Sequence, residues 1–445
     1  MKKILLIDDE EKLRKLMARI IELEQIEVFQ AENATSGLKL LEKQYFDVII
    51  CDVKLPDANG VDLIPQIKKI QPLAEIILLT AYGNIPDGVQ AIKNGAFDYI
   101  TKGDDNNRII PLVYRALEKV ELSKRVTRLE QKIEQKYSFD NIIGKSISIL
   151  SAIEMGRKVA QTDATVLLTG ETGTGKEVFA QSIHYGSLRK NKPFVAINCS
   201  AFSKELLESE LFGHKAGAFT GALKDKKGLF EEAHEGTIFL DEIGEMAIDL
   251  QAKILRVLET KEFIKIGETK SQKIDVRIIA ATNRILEKEI ETEHFRRDLF
   301  YRLSVFQIHL PPLRERISDI KLFVDEFVNL FATKSNNRIN TISPDYLKLL
   351  EQNSWKGNIR ELRNVIERSV ILSDDETLGI ETLPLEIQYP DTDSPEFITT
   401  LALSDIERLH IKKILDYTKG NKAETARILK IGIATLYRKL EEYKL

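Results

Sequence analysis

The sequence predicts a multidomain α/β chain with a small all-α end, and three observations carry that expectation. Short apolar runs alternate with helical patterns through the first 120 residues, which implies a parallel sheet with helices on both faces. Near the middle, the apolar run 165–169 leads into a glycine-rich turn, residues 170–176, and then a helix-like stretch, 177–184. After Leu401 the chain carries ten Lys or Arg against six acids and breaks into short helical patterns.

The 445 residues suggest about three domains, and 43% hydrophobic content is ample for their cores. The opening MKKILLIDDE has two lysines and a short apolar run, but acids follow at once where a secretion signal needs a longer apolar region. No stretch approaches the roughly 20 apolar residues of a membrane span, so a cytoplasmic protein without membrane contact is expected. Cys51 and Cys199 lack metal-ligand spacing and read as reduced, buried fillers. A net charge of −4 is uninformative about nucleic acid, but its distribution is not. Residues 373–400 hold Asp374, Asp375, Glu376, Glu381, Glu386, Asp391, Asp393 and Glu396, three prolines and no Lys or Arg, the composition of an acidic linker.

In the first domain, residues 1–120, strand-like runs occupy 4–7, 28–31, 48–51, 76–79 and 99–100. Ligands of such sheets bind beyond the carboxyl ends of the strands. Asp8 and Asp9 follow the first strand, Asp52 the third, Thr80 ends the fourth and Lys102 the fifth. Carboxylates gathered at one edge repel unless a cation lies among them, and hard oxygen ligands suit Mg²⁺. A carboxylate beside Mg²⁺ can attack a phosphoryl group while Lys and a hydroxyl steady the transferred oxygens. Taken singly, each acid reads equally as a helix N-cap. The whole set resembles a flavodoxin-like response-regulator receiver domain. The resemblance implies Asp52 as phosphoacceptor, Asp8 and Asp9 as Mg²⁺ acids, and Thr80, Tyr99 and Lys102 as switch positions. Gly103 stands where that family usually has Pro.

Residues 113–136 are rich in Glu, Lys and Arg, with Leu122, Val126, Leu129 and Ile133 in one apolar stripe. A narrow stripe on a charged helix suits a short coiled coil over 121–138; packing onto its own receiver is the alternative.

The central domain, residues 139–372, starts from Gly170, Glu171, Thr172, Gly173, Thr174, Gly175 and Lys176. Strand, glycine-rich turn with Lys, then helix is the arrangement in which backbone N–H groups surround a phosphate chain, so nucleoside triphosphate binding is expected. Glu177 replaces the usual hydroxyl that reaches Mg²⁺. The strand 237–240 ends in Asp241 and Glu242: in loop-type ATPases the first acid helps hold Mg²⁺ and the second serves the attacking water. A second strand, 276–281, ends at Thr282 and Asn283, whose amide can position water. The stretch Phe295-Arg296-Arg297-Asp298-Leu299-Phe300-Tyr301-Arg302-Leu303 offers arginines able to reach a neighbouring subunit's phosphate as arginine fingers; taken singly, arginines on a helix read as solvated or paired on the surface. The stretch Trp355-Lys-Gly-Asn-Ile-Arg360-Glu-Leu follows in a helical region. The ordered set resembles an AAA+ ATPase with a helical lid from about residue 312, binding ATP with Mg²⁺.

Between phosphate loop and acidic strand lies Gly217-Ala218-Phe219-Thr220-Gly221-Ala222. Its small residues lower the steric cost of rearrangement, and Phe219 gives it an apolar tip; a tight internal turn with Phe219 buried is equally open on physical grounds. This GAFTGA hexapeptide resembles the signature of bacterial enhancer-binding proteins that activate sigma-54 RNA polymerase holoenzyme. The resemblance implies that Phe219 and Thr220 contact sigma-54, that Asn198 couples Glu242 to the loop, that Arg296 and Arg302 are the fingers and that Arg360 is the lid sensor. It also makes Glu177 usual. Lys356 replaces the family's Pro.

In the last domain, residues 401–445, helical patterns over 404–417, 422–429 and 434–443 surround a break at Ile431 and Gly432. Helix, tight turn, helix in a basic module is a DNA-reading pattern; a bundle without DNA is the alternative. The stretch 435–440 resembles a Fis-like helix-turn-helix, which implies Thr435, Tyr437, Arg438 and Lys439 as contacts to double-stranded DNA. Gly432 and Ile433 depart from the commoner Ser and Arg. Over nearly its full length the chain resembles an NtrC-type response regulator. That resemblance implies phosphorylation by a sensor histidine kinase, homo-oligomerisation from dimer to hexameric ring, and remodelling of the sigma-54 holoenzyme. Competing readings are a nucleotide-regulated DNA-binding repressor or scaffold, and an AAA+ remodeller of another client.

Overall fold

The computed structural model describes residues 2–80, 90–102, 106–219, 221–389, 403–418 and 420–443. The chain divides into two compact units, Met1–Asn141 and Ile142–Leu445.

In the first unit, β1 (Lys3–Ile7), β2 (Glu27–Ala31), β3 (Val48–Asp52), β4 (Glu75–Thr80) and β5 (Asp98–Thr101) form a parallel sheet in the order β2-β1-β3-β4-β5. Alternate residues of each strand face opposite sides, and the core divides accordingly. Leu5, Ile7, Ile49, Cys51, Ile76 and Leu78 pack on one face; Ile4, Leu6, Val48, Ile50, Ile77 and Leu79 pack on the other. Burial on both faces explains why these strands read as unbroken apolar runs. Helices α1 (Glu11–Glu22), α2 (Ala34–Lys43) and α3 (Gly60–Ile70) connect them. Gly103 lies outside the described residues.

Helix α4 (Asn106–Lys136) runs 31 residues without a break, about 46 Å, so the receiver and the expected linker share one element. Its first half buries Ile109, Leu112, Val113, Ala116, Leu117 and Val120. Beyond them Lys124 still grips the receiver, 2.6 Å from Asp47 Oδ1 and 4.5 Å above the Tyr45 ring. Leu122, Val126, Leu129 and Ile133 are 57, 54, 51 and 40% exposed, so the stripe does not pack on its own receiver.

In the second unit, β6 (Val166–Thr169), β7 (Phe194–Asn198), β8 (Thr237–Asp241), β11 (Arg277–Thr282) and β12 (Phe306–His309) form a parallel sheet ordered β12-β6-β11-β8-β7; β9 (Glu262–Ile264) and β10 (Ser271–Lys273) make a separate antiparallel pair. Helix α5 (Ile147–Ala160) precedes β6, and α6 (Lys176–Tyr185) follows it through the glycine-rich turn. The helical lid centres on α7 (Ile320–Ser335) and α8 (Asn358–Leu372), closed around buried Phe323, Tyr346, Trp355, Leu362 and Ile366.

The acidic segment is the correction. Residues 377–388 are not linker: β14 (Thr377–Leu378) pairs with β13 (Thr341–Ile342), and Leu378, Leu383 and Ile387 are buried in the lid core. Composition misled because the acids stay on the solvent side while three spaced apolar residues supply the packing. Residues 390–400 lie outside the described ones.

Helices α9 (Leu403–Tyr417), α10 (Lys422–Ile428) and α11 (Ile433–Tyr443) pack around Ile411, Ala426, Leu436 and Leu440, as the periodicity predicts. Cys51 and Cys199 are both free and buried.

Candidate functional site

At the carboxyl edge of the first sheet, oxygens of Asp8, Asp9 and Asp52 lie within 4.8 Å of one another. Lys102 Nζ sits 2.7 Å from Asp52 Oδ2, 2.9 Å from Asp8 Oδ2 and 3.0 Å from Glu10 Oε1. The Asp8 contact is an ion pair without hydrogen-bond alignment, which leaves buried Asp8 Oδ2 without a directed donor. Burial pushes the Asp52 carboxyl above its ordinary range, and the Lys102 bond opposes that rise. Burial likewise pulls the Lys102 ammonium down, but the negative carboxylates of Asp52, Asp8 and Glu10 around it outweigh that and its pKa rises. An oxygen-only set of carboxylates with an undersatisfied buried oxygen fits a hard divalent cation. Thr80 ends β4 in register with Thr101, and Tyr99 stands two residues back on β5 opposite Leu78; both are half-buried.

The second site lies at the carboxyl ends of β6, β8 and β11. Lys176 is buried; its Nζ donates to the carbonyls of Gly170 (2.9 Å) and Glu171 (3.3 Å) and lies 3.7 Å from Glu242 Oε1. Burial lowers the Lys176 pKa, and Glu242 and Asp241 push it back only in part. Burial and the neighbouring Glu242 raise Asp241. A buried ammonium facing two crowded acids is a site built around charge that phosphate and a cation can balance. Glu242 adopts the left-handed conformation (φ 51°), costly for a residue with a Cβ. In that conformation its Oε2 accepts the Asn283 N–H at 3.2 Å, while Asn283 Nδ2 donates to Thr172 Oγ1 at 3.0 Å. Gly173 has φ +80°, and a Cβ there would stand 2.2 Å from the Gly357 carbonyl, so close approach of the lid requires glycine. Thr174 hydroxyl donates to the Glu171 carbonyl, Gly175 caps α6, and Glu177 follows in its first turn.

The lid grips this loop through contacts that motif reading missed. Glu171 takes a bidentate pair from Arg314 (2.6 and 2.8 Å) and a bond from buried Asn358 Nδ2 (3.1 Å). Those two donors hold its carboxyl down to about 2. The Ile359 N–H donates to the Gly173 carbonyl at 3.1 Å, and the Arg360 Cβ lies beside Gly173. Asn358 is inside the stretch that pointed to a lid, but only the fold reveals that it reaches the phosphate loop.

Other expected residues are placed differently. Asn198 is register partner of Asp241 on the adjacent strand, yet its Oδ1 accepts from Ser200 N (2.9 Å) and Ser200 Oγ (2.7 Å). Among the described residues it makes no bond to Glu242. Arg296 pairs with Asp298 (2.7 Å) and Arg302 with Glu259 (3.4 Å), and among the described residues neither bonds the phosphate loop.

Phe219 is 44% exposed, which removes the buried-turn reading. Its ring meets His214 edge-on at 4.9 Å. Gly217 (φ +82°) and Gly221 (φ +104°) would have open space around an added Cβ, so they serve backbone conformation and not packing. Gly217 N donates to the Ala222 carbonyl at 2.8 Å, and Ala218 N to the Lys215 carbonyl at 3.1 Å. Thr220 lies outside the described residues.

In the helix-turn-helix, Tyr437 and Arg438 are exposed and Thr435 is half-buried. Lys439 is committed elsewhere: its Nζ is 2.5 Å from Glu407 Oε2 on α9, and Tyr443 OH donates to the same oxygen at 2.7 Å. It therefore locks α11 to α9, which counts against its expected role as a DNA contact.

Four family matches tile the chain: a response regulator receiver domain over residues 4–114, a Sigma-54 interaction domain over 142–309, an AAA+ ATPase lid domain over 314–397, and the Fis family of bacterial regulatory proteins over 402–443. The regulatory protein AtoC of Escherichia coli (strain K12) is 39% identical across 99% of this chain and 97% of its own length. The chain belongs to the NtrC-type sigma-54-dependent response regulators. The alginate biosynthesis regulator AlgB of Pseudomonas aeruginosa is 36% identical over 100% of this chain and 98% of its own. Among solved structures, NtrX from Brucella abortus in complex with ATP aligns with a TM-score of 0.63 at 33% identity, covering 100% of this chain and 99% of that one. This NtrC-type regulator is therefore a two-component transcription regulator with an AAA+ ATPase domain and a DNA-binding helix-turn-helix. Among the described residues, no helix is long and apolar enough to cross a membrane.

Proposed function

We propose that phosphorylation of Asp52 by a sensor histidine kinase drives this regulator to assemble into an ATP-hydrolysing ring, which binds upstream DNA and remodels sigma-54 RNA polymerase holoenzyme. The observation that carries the reading is the convergence of Lys176, Asp241, Glu242 and Asn283 at one sheet edge. These are the parts of a hydrolytic site, more than a nucleotide-sensing scaffold requires. Asp8, Asp9 and Asp52 would hold Mg²⁺ at the receiver and Asp241 at the nucleotide, where the cation supplies charge neutralisation of phosphoryl oxygens. Residues 170–177 and Arg360 bind the nucleotide, Lys176 faces its phosphates, and Glu242 orients the attacking water with Asn283. Arg296 and Arg302, paired with surface acids of their own chain, act on a neighbour's nucleotide, which makes hydrolysis depend on assembly. Asn198 couples Glu242 to the output loop once its bond to Ser200 exchanges. Residues 217–222 press on sigma-54, with Phe219 and Thr220 making the contact.

The deciding experiment is open-complex formation on a sigma-54 promoter with ATP and a small phosphodonor. Wild-type protein should melt the promoter, Asp52→Asn should lose the response to the donor, and Phe219→Ala should hydrolyse ATP without melting DNA. Melting by Phe219→Ala, or by Thr220→Ala, would sink the loop assignment; unchanged phospho-labelling of Asp52→Asn would sink the acceptor.

A further inference from the structure

The reading helix of the DNA-binding module presents apolar side chains where base edges are met. Leu436 and Leu440 of α11 are buried, 0% and 5% exposed; Ala434, Arg438 and Glu441 point away from them, while Ile433 and Tyr437 flank the buried stripe, and Ile433, Ala434, Arg438 and Glu441 are exposed. Ile433 and Tyr437, 50% and 52% exposed, stand one turn apart on that flank. A Cβ at Gly432 would meet only Thr435 Oγ1 at 3.5 Å, and Gly432 does not have a positive φ. The fold therefore does not demand glycine there, and Ile433 is the first side chain of α11 able to reach a base.

Charge on this face is sparse. Lys439 is spent on Glu407, and Lys422 lies 4.8 Å from the Tyr437 ring centroid. Among the described residues of α11, Arg438 is the exposed cation, and the helix has no Asn or Gln. In the major groove, guanine is read by Arg or Lys and adenine by Asn or Gln. The thymine C5 methyl is the apolar feature of the base edges, read by apolar side chains. A helix of this kind docks with its N-terminal residues against the bases, and here those are Ile433 and Ala434.

We propose that Ile433, flanked by Ala434, is a specificity-determining residue that reads thymine methyl groups, so that each half-site has thymine opposite the start of α11. This rests on the helix-turn-helix being the DNA-reading module. Neighbouring exposed Arg438, Lys430 and Arg427 favour a polyanionic duplex as the occupant of this face over an apolar protein groove.

The full-length chain would be used to select duplexes from a random library, and each thymine common to the selected sites would then be replaced by deoxyuridine, which removes only the methyl. Loss of about fourfold in affinity at one such position per half-site is expected, the factor for burying one methyl-sized group. In Ile433→Ser that loss should vanish, and Ile433→Arg should shift the selected base toward guanine. Equal binding of uridine and thymine sites by the wild type overturns the proposal, as does undiminished discrimination in Ile433→Ser. Sequence-independent weakening by Ile433→Ser, with thymine and uridine sites equal, would show that the face packs against something other than a base. Failure to enrich any sequence would overturn DNA reading itself, and this assignment with it.

Discussion

His184 and Glu242 show how burial sets chemistry one residue at a time. His184 is fully buried, its Nδ1 2.9 Å from Thr237 Oγ1, and burial, with a smaller push from the Arg277 guanidinium, lowers its pKa from 6.5 to about 4. Because the folded value lies below the unfolded one, unfolded chains take up this proton first as pH falls. Stability should therefore be full above pH 6.5 and decline toward pH 4, by on the order of 2–3 kcal/mol. Urea melts at several pH values check this, with His184→Gln expected to lose that part of the slope. Glu242, held by the Asn283 N–H and near Lys176, calls for Glu242→Gln to lower ATP turnover by roughly 10²–10⁴-fold while retaining nucleotide. Single-turnover hydrolysis beside a binding titration separates the two. The place of Glu242 was legible from strand-end position, since a residue after an apolar run lands at the sheet edge whatever else folds, whereas the burial of His184 was not. The side-chain directions were not: Asn198 stands next to Asp241 yet turns to Ser200.

Among elements, helix α4 joins the receiver to whatever its exposed stripe contacts. Its first half is held by the core and by Lys124 on Asp47, while Val126 and Leu129 remain about half exposed. Introducing Val126→Glu with Leu129→Glu should leave receiver melting unchanged but weaken self-association by roughly tenfold or more, given ~1.5–3 kcal/mol per buried aliphatic side chain. Sedimentation of the full chain reads this; an unchanged dissociation constant would mean that the stripe does not mediate dimers. The stripe was plain from its spacing, as were the three helices of the DNA-binding module. The lid's last strand was not, because eight acids across residues 373–400 obscure the few apolar positions that decide packing.

For the whole molecule, the proposed role of Arg296 and Arg302 as fingers on a neighbour's nucleotide would make hydrolysis a property of the assembly. Specific ATPase activity should rise with protein concentration, and a flat profile on dilution would count against a ring. Mixing Lys176→Ala with Arg296→Ala should recover activity that neither has alone, because mixed assemblies join an intact phosphate loop to an intact finger across a boundary. No recovery would place Arg296 outside the neighbour's site.

What the sequence alone determined was the order of domains and the residues at strand ends and in loops, because motif spacing is covalent and survives any detail of packing. Tertiary structure decided which distant groups meet outside those strand ends: Arg314 and Asn358 with Glu171, Glu407 with Lys439. Each of these pairs is far apart in sequence, and their partners are chosen by helix orientation and burial. No spacing along the chain encodes that choice.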